Sequence, residues 1–176
     1  MKHCLVVLVL LLLAVSSNVA VAQDDGQEAF ESFAKMIVGG TWTTTLDGEK
    51  YEDTYRKISN GQFIQQTAKG SKLFPGGVSV LGIDPETNKF TWWGFNADGS
   101  VTKGTMKSVS KDIWQGQWAS KGPKGTTLTE LTLKRIDKDT LKVDITKQEV
   151  TGEDKEFPAA SEWKRVKRGR RRQAKT

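Results

Sequence analysis

Histidine and cysteine are almost missing from this chain of 176 residues: it has one of each, His3 and Cys4, both within the first four positions. Beyond them there is no thiol for a disulfide and no imidazole to serve as a base near neutral pH. The nucleophile and base pairs built on serine with histidine, or cysteine with histidine, are therefore excluded. Zinc loses its favoured nitrogen and sulfur ligands. No EF-hand, P-loop or other metal-binding or phosphate-binding spacing is present. The carboxylates Asp47, Asp84, Glu86, Asp98, Asp137, Asp139, Glu153, Asp154 and Glu156 fall among turn and loop residues. Solvated turn acids are the ordinary reading of such positions. These absences predict a protein that is not an enzyme and that carries no metal or cofactor.

What is present begins with a leader. Lys2 and His3 precede an apolar run from Leu5 to Val15, and Ser16 to Ala22 then supply a small-residue end of the A-x-A type. A charged start, a short apolar stretch and a small-residue exit predict a secretory signal over residues 1–22, cut after Ala22. The apolar run is shorter than the roughly 20 residues that a spanning helix requires. A secreted or periplasmic location follows, and the remaining chain is long enough for one domain with one core.

Charge is unevenly placed. Residues 164–176 hold eight of the 27 Lys and Arg and none of the 21 Asp and Glu, so the body before them is slightly acidic. The body is not patterned as a nucleic-acid binder, and no specific nucleic-acid partner is expected. The tail, with Lys164, Lys167, Arg168, Arg170, Arg171 and Arg172, has the chemistry to meet an anionic envelope polymer or lipid head groups, because clustered arginine binds phosphate bidentately. A solvated basic end over 168–176 is the plainer reading of the same residues.

Residues 23–38 place Phe30, Phe33, Ala34 and Ile37 at spacings of three and four, behind Asp24, Asp25 and Glu28. This predicts a short amphipathic helix with acids at its positive end. From 39 to 167 the period changes to two. Strand formers are separated by Asp47-Gly48, Asn60-Gly61, Pro75-Gly76-Gly77, Asn96-Ala97-Asp98-Gly99 and similar turn signals. About ten antiparallel strands are expected, near 41–46, 50–58, 62–69, 78–83, 89–96, 100–108, 112–119, 126–136, 140–149 and 160–167. Hairpin-linked strands in one small domain leave two raw edges unless the sheet closes, so an all-β up-and-down barrel is the expected fold. A two-sheet sandwich is the competing arrangement.

The sequence Gly40-Thr41-Trp42, set between a short helix and the first strand of such a meander, resembles the start of the lipocalins and the wider calycin superfamily. The layout GGTWT, a DG turn, a tyrosine-bearing strand, LGID and an aromatic strand is similar to the uncharacterised lipocalin-like secreted proteins of bacteria. With ten strands it also resembles the fatty-acid-binding and nitrobindin-like barrels. The resemblance implies a barrel closed at one end by Trp42, with a basic residue of the last strand stacked over the indole. Arg165 is the candidate, with Lys164 the substitute. It further implies a small apolar or amphipathic ligand held inside. The nitrobindin-like barrels hold heme through a histidine, which this chain does not supply after residue 22.

Candidate ligand-binding residues follow from period and turn geometry. The Asn96 to Gly99 turn sets Trp92 opposite Gly104, and a hairpin centred near Ser110 sets Gly104 opposite Gly116. Phe90, Trp92, Met106, Trp114 and Trp118 then share one face, either as solid core or as the walls of a pocket, with Trp93 and Phe95 on the other. Tyr51 and Tyr55 share a strand face and can bring hydroxyls inward. Gln65, Gln115 and Gln117 interleave with apolar neighbours and are candidate polar anchors, although outward-facing strand positions are the default.

If the basic tail binds anionic surfaces, deleting residues 167–176 should abolish retention on anionic vesicles at moderate salt. Engagement of four of its charges on duplex-like polyanion should give a log–log salt slope of about −3.6. Retention unchanged by the deletion would assign the tail no binding role.

Overall fold

The computed structural model describes residues 25–71, 75–151, 153–154 and 160–166. Helix α1 (Asp25–Ile37) leads into β1 (Gly40–Leu46), β2 (Glu49–Ile58), β3 (Phe63–Ala68), β4 (Gly77–Asp84) and β5 (Lys89–Asn96). Then come β6 (Val101–Ser110), β7 (Ile113–Gly122), β8 (Gly125–Arg135), β9 (Thr140–Val150), β10 (Glu153–Asp154) and β11 (Ser161–Arg165). Strands β1 to β9 pair antiparallel in chain order, and β11 lies between β9 and β1. The ten strands other than β10 thus form a closed ring, and the sandwich alternative is set aside. Closure leaves no barrel strand with a free edge, which is the physical gain expected of it. The unexpected element is β10, a two-residue addition that pairs Glu153 with Val150 of β9. No helix among the described residues is long and apolar enough to cross a membrane.

The turns behave as their residues require. Asp47 and Gly48 both take positive φ, 50° and 78°, the pattern that joins two strands through a two-residue loop. At the β5–β6 turn the Gly99 amide donates to the Asn96 carbonyl at 3.0 Å, and Gly99 sits at φ 83°. Trp92 consequently lies opposite Gly104, as expected. The next hairpin differs from expectation. It turns at Lys111 and Asp112 and carries an irregularity between Ser108 and Ser110, so Gly104 faces Trp118 and Met106 faces Gly116. The displacement is two positions, and an even displacement leaves every side chain on its expected face. Gly104 is needed there, because a Cβ on it would stand 2.3 Å from the Trp118 Cβ.

Helix α1 covers one end of the barrel. Its buried face sets Phe30 and Phe33 against Phe90, each with ring centroids 5.5 Å apart, and Phe33 edge-on to Trp114 at 6.0 Å. The Trp114 indole N–H donates to Ser32 Oγ at 3.2 Å, so the helix is fixed by a directed bond as well as by apolar contact. Ile64, Leu81 and Met106 complete this packed layer.

The end of the helix is tied to both the first and last barrel strands. Trp42, 1% exposed, donates from Nε1 to the Ile37 carbonyl at 3.0 Å. Arg165, its register partner on β11, places its guanidinium carbon 4.5 Å from the Trp42 ring centroid. Arg165 Nη1 donates to the Val38 carbonyl at 3.3 Å, and Nη2 donates to the Met36 carbonyl. Asp139, at the turn before β9, brings a carboxylate oxygen to 3.6 Å from Arg165 Nε. These carbonyls belong to the helix C-terminus, where unsatisfied C=O groups and the negative end of the dipole favour a cation. Lys164, by alternation, points outward and is 69% exposed.

Arg165→Ala should lower unfolding stability by about 2–4 kcal/mol in urea titration, since it removes a cation–π contact and two charge-assisted bonds. Arg165→Lys should recover less than half of the loss, because an ammonium cannot span both carbonyls while lying flat on the indole.

Candidate functional site

The barrel interior divides by height. At the end under α1 it is solid; toward the opposite end it opens into a cavity of about 520 Å³. The sequence-predicted residues are distributed between the two. Phe90, Met106 and Trp114 belong to the solid layer, with exposures of 0%, 4% and 0%, and do not line the cavity. Trp92 and Trp118 do line it, on neighbouring sides of Gly104, with centroids 5.6 Å apart and planes inclined by 25°. The aromatic group is thus divided between the packed layer and the cavity wall. Trp93 and Phe95 lie on the other side of β5, and Phe95 is 58% exposed.

Tyr51 and Tyr55 both face the cavity from β2, Tyr55 nearer the helix-covered end. Between them on the same face is Asp53, a mid-strand carboxylate outside the set of turn and loop acids. Gln66, the register partner of Tyr55 on β3, donates from Nε2 to Asp53 Oδ2 at 2.8 Å and to Tyr55 Oη at 3.3 Å. Tyr55 Oη donates to the same Asp53 oxygen at 3.2 Å. Burial pushes the Asp53 carboxyl up to about 6 from an ordinary 3.8, and the bonds from Gln66 and Tyr55 offset only part of that rise. Burial, and then the neighbouring Asp53 charge, hold the Tyr55 phenol well above its ordinary value, so it remains a neutral donor.

The rest of the wall is graded. Leu133, Leu141, Val143, Ile145 and Trp163, on β8, β9 and β11, give an apolar arc. Asn96, Ser100, Thr102 and Ser120 form a hydroxyl and amide group nearer the open end, with Thr102 Oγ1 and Ser120 Oγ 2.6 Å apart. The cavity therefore has an apolar side, a polar rim, and one internal carboxyl group held by two donors.

Gln65, Gln115 and Gln117 stand outside this cavity. Alternation turns Gln66 inward and Gln65 outward, where Gln65 Oε1 accepts from Arg56 at 2.9 and 2.6 Å. Gln115 and Gln117 are exposed on β7, whose inward positions are Trp114, Gly116 and Trp118. They border a separate concavity of about 870 Å³, along with Lys107 and Glu130 and the β4–β5 turn. Phe90, Met106 and Leu131 also border it, so its lining mixes apolar with long polar side chains, and it has no equivalent of the indole pair or the Asp53 group. Lys167, Arg168, Arg170, Arg171 and Arg172, and the leader over 1–22, lie outside the described residues. Among the described residues no group of three His, Cys, Asp or Glu side chains could hold a metal ion.

In comparisons with known proteins, no family model and no curated protein sequence matches the chain.

Asp53 gives the site a pH signature. Its folded pKa lies above its unfolded value, so the folded state holds the proton more tightly, and the contribution of Asp53 to stability is fully present below about pH 4 and is lost as pH rises. Between there and about pH 6 some 3 kcal/mol should be lost as pH rises. Asp53→Asn keeps an acceptor for Gln66 and Tyr55 and removes the charge. It should melt higher than the parent at pH 7 and show no such step, as read by thermal unfolding across pH 3.5–7.5.

Proposed function

We propose that this is an exported, lipocalin-like protein without catalytic activity that encloses a small apolar or amphipathic molecule in its barrel. The observation that supports this reading is the cavity of about 520 Å³ that remains after the helix-covered end is filled. That volume falls within the range of small-molecule sites, and its mix of apolar wall and a few placed polar groups matches their chemistry. The Trp42 and Arg165 closure, following Gly40 at the start of β1, supports the lipocalin-like reading, because a single capped end and a single open end make a container. The absence of histidine and cysteine beyond residue 4 supports binding over catalysis.

Trp92 and Trp118 stand in the cavity wall, so entry of an apolar molecule displaces water from two indoles and should alter their emission. Titration with retinol or dodecanol should give a saturable change. Ser79, inward and 8% exposed, offers a position to fill the space: Ser79→Phe should weaken binding by at least about tenfold while leaving the far-ultraviolet circular dichroism unchanged. No saturable response to either neutral probe would overturn the proposal.

A further inference from the structure

The cavity carries a charge that a container for neutral or anionic molecules has no use for. Asp53 lines its wall, and among the described residues no cation stands within ion-pair distance of it. Both hydrogen bonds it receives, from Gln66 and Tyr55, fall on Oδ2. Oδ1 keeps its acceptor capacity for whatever occupies the cavity. The other charged groups on the lining are Lys69 and Asp98 at the open end, both exposed, with the Asp98 carboxylate already accepting from the Ser100 amide and hydroxyl at 3.0 and 2.7 Å. Arg165, at the closed end, is committed to Trp42, the helix carbonyls and Asp139, and does not line the cavity.

This inference rests on the reading of the cavity as a ligand site and narrows its ligand. We propose that the barrel selects an amphipathic amine, with its ammonium group against Asp53 Oδ1 and its apolar part along Trp92, Trp118 and the apolar arc of β8, β9 and β11. The chemistry favours this class on three counts. A half-buried carboxylate with two neutral donors attracts a cation and repels a carboxylate head group, and both effects grow as water leaves the cavity. An ammonium with several N–H groups can use Oδ1 together with the Tyr51 ring or the indole faces, which attract cations. The apolar arc opposite takes the tail, which a simple inorganic cation lacks. A fatty acid meets the reverse situation, with its negative head group beside Asp53 and with Lys69 too exposed at the rim to compensate.

The test uses three probes of matched chain, dodecylamine, dodecanol and dodecanoic acid, each below its aggregation threshold, titrated calorimetrically at pH 7.5. The amine should bind about tenfold or more tighter than the alcohol, and the acid weaker than the alcohol. In Asp53→Asn the amine should fall to the affinity that the alcohol shows in the same variant. Alcohol binding reports that the cavity of the variant is intact. Equal affinity for amine and acid in the parent protein would overturn the inference and leave the cavity reading standing. An amine preference that survives Asp53→Asn would overturn it too, by placing the selectivity elsewhere. Failure of all three probes to bind would overturn the cavity reading and this inference together.

Discussion

The arrangement depends on one contact set, the Arg165 guanidinium lying over Trp42 with its donors on the carbonyls of Met36 and Val38. Four pieces of chain meet there: the end of α1, the start of β1, the end of β11, and, through Asp139, the turn before β9. Closure of a ten-strand ring brings together segments that are far apart in sequence, and the entropy of that long loop opposes it. A planar cation with several fixed donors suits the position, because it can stack on the indole and satisfy helix-end carbonyls at the same time. The backbone agrees with the side chains. Trp42 pairs with Arg165 across the β1–β11 ladder, and the Val166 amide donates to the Thr41 carbonyl at 2.8 Å.

Filling one end has a consequence for the other. Helix α1 supplies Phe30 and Phe33, and the barrel answers with Phe90, Trp114, Ile64 and Leu81; that layer is dense enough to serve as the hydrophobic core for the whole domain. With the core concentrated at one end, the remaining inward positions are freed from packing a second one. They are filled instead with small and hydroxyl residues such as Ser79, Thr102, Ser120 and Thr129, which leave volume, and with indoles that bound it. A barrel of ten strands is wide enough for this division, since barrel diameter grows with strand number.

The fold was legible in the sequence because it is written in local signals: period two, strong turn pairs, and a single helical stretch ahead of them. Each expected strand lies within a few residues of an observed one. The closing pair was legible through resemblance, on Gly40, Trp42 and Arg165. The cavity was only half legible. Face assignment is a matter of parity, so Trp92 and Trp118 were placed on the inner face despite a hairpin displaced by two residues. Height along the barrel is not encoded in parity, and nothing local separates Trp118 from Trp114, four residues away and part of the plug. The choice between Gln65 and Gln66 shows the other limit. Adjacent identical residues differ only in parity, and the strand's apolar Ile64, inward and fully buried, fixes Gln66 as the one that shares its face.

Asp53 is the cavity residue whose signal in the sequence is plainest once the parity of β2 is followed. In the segment Glu49–Ile58 the period-two face runs Tyr51, Asp53, Tyr55, two large amphipathic rings flanking a carboxyl that has no reason to point inward on packing grounds. A leucine or threonine there would satisfy the alternation and avoid the desolvation that raises the carboxyl pKa to about 6. The two donors from Gln66 and Tyr55 reduce that cost without removing it, as the direction of the shift shows. Local rules of sequence and structure agree almost everywhere else in this barrel. A position that breaks them inside a cavity, with partners arranged to hold it in place and one oxygen without a hydrogen bond, is where a functional constraint is expected to act.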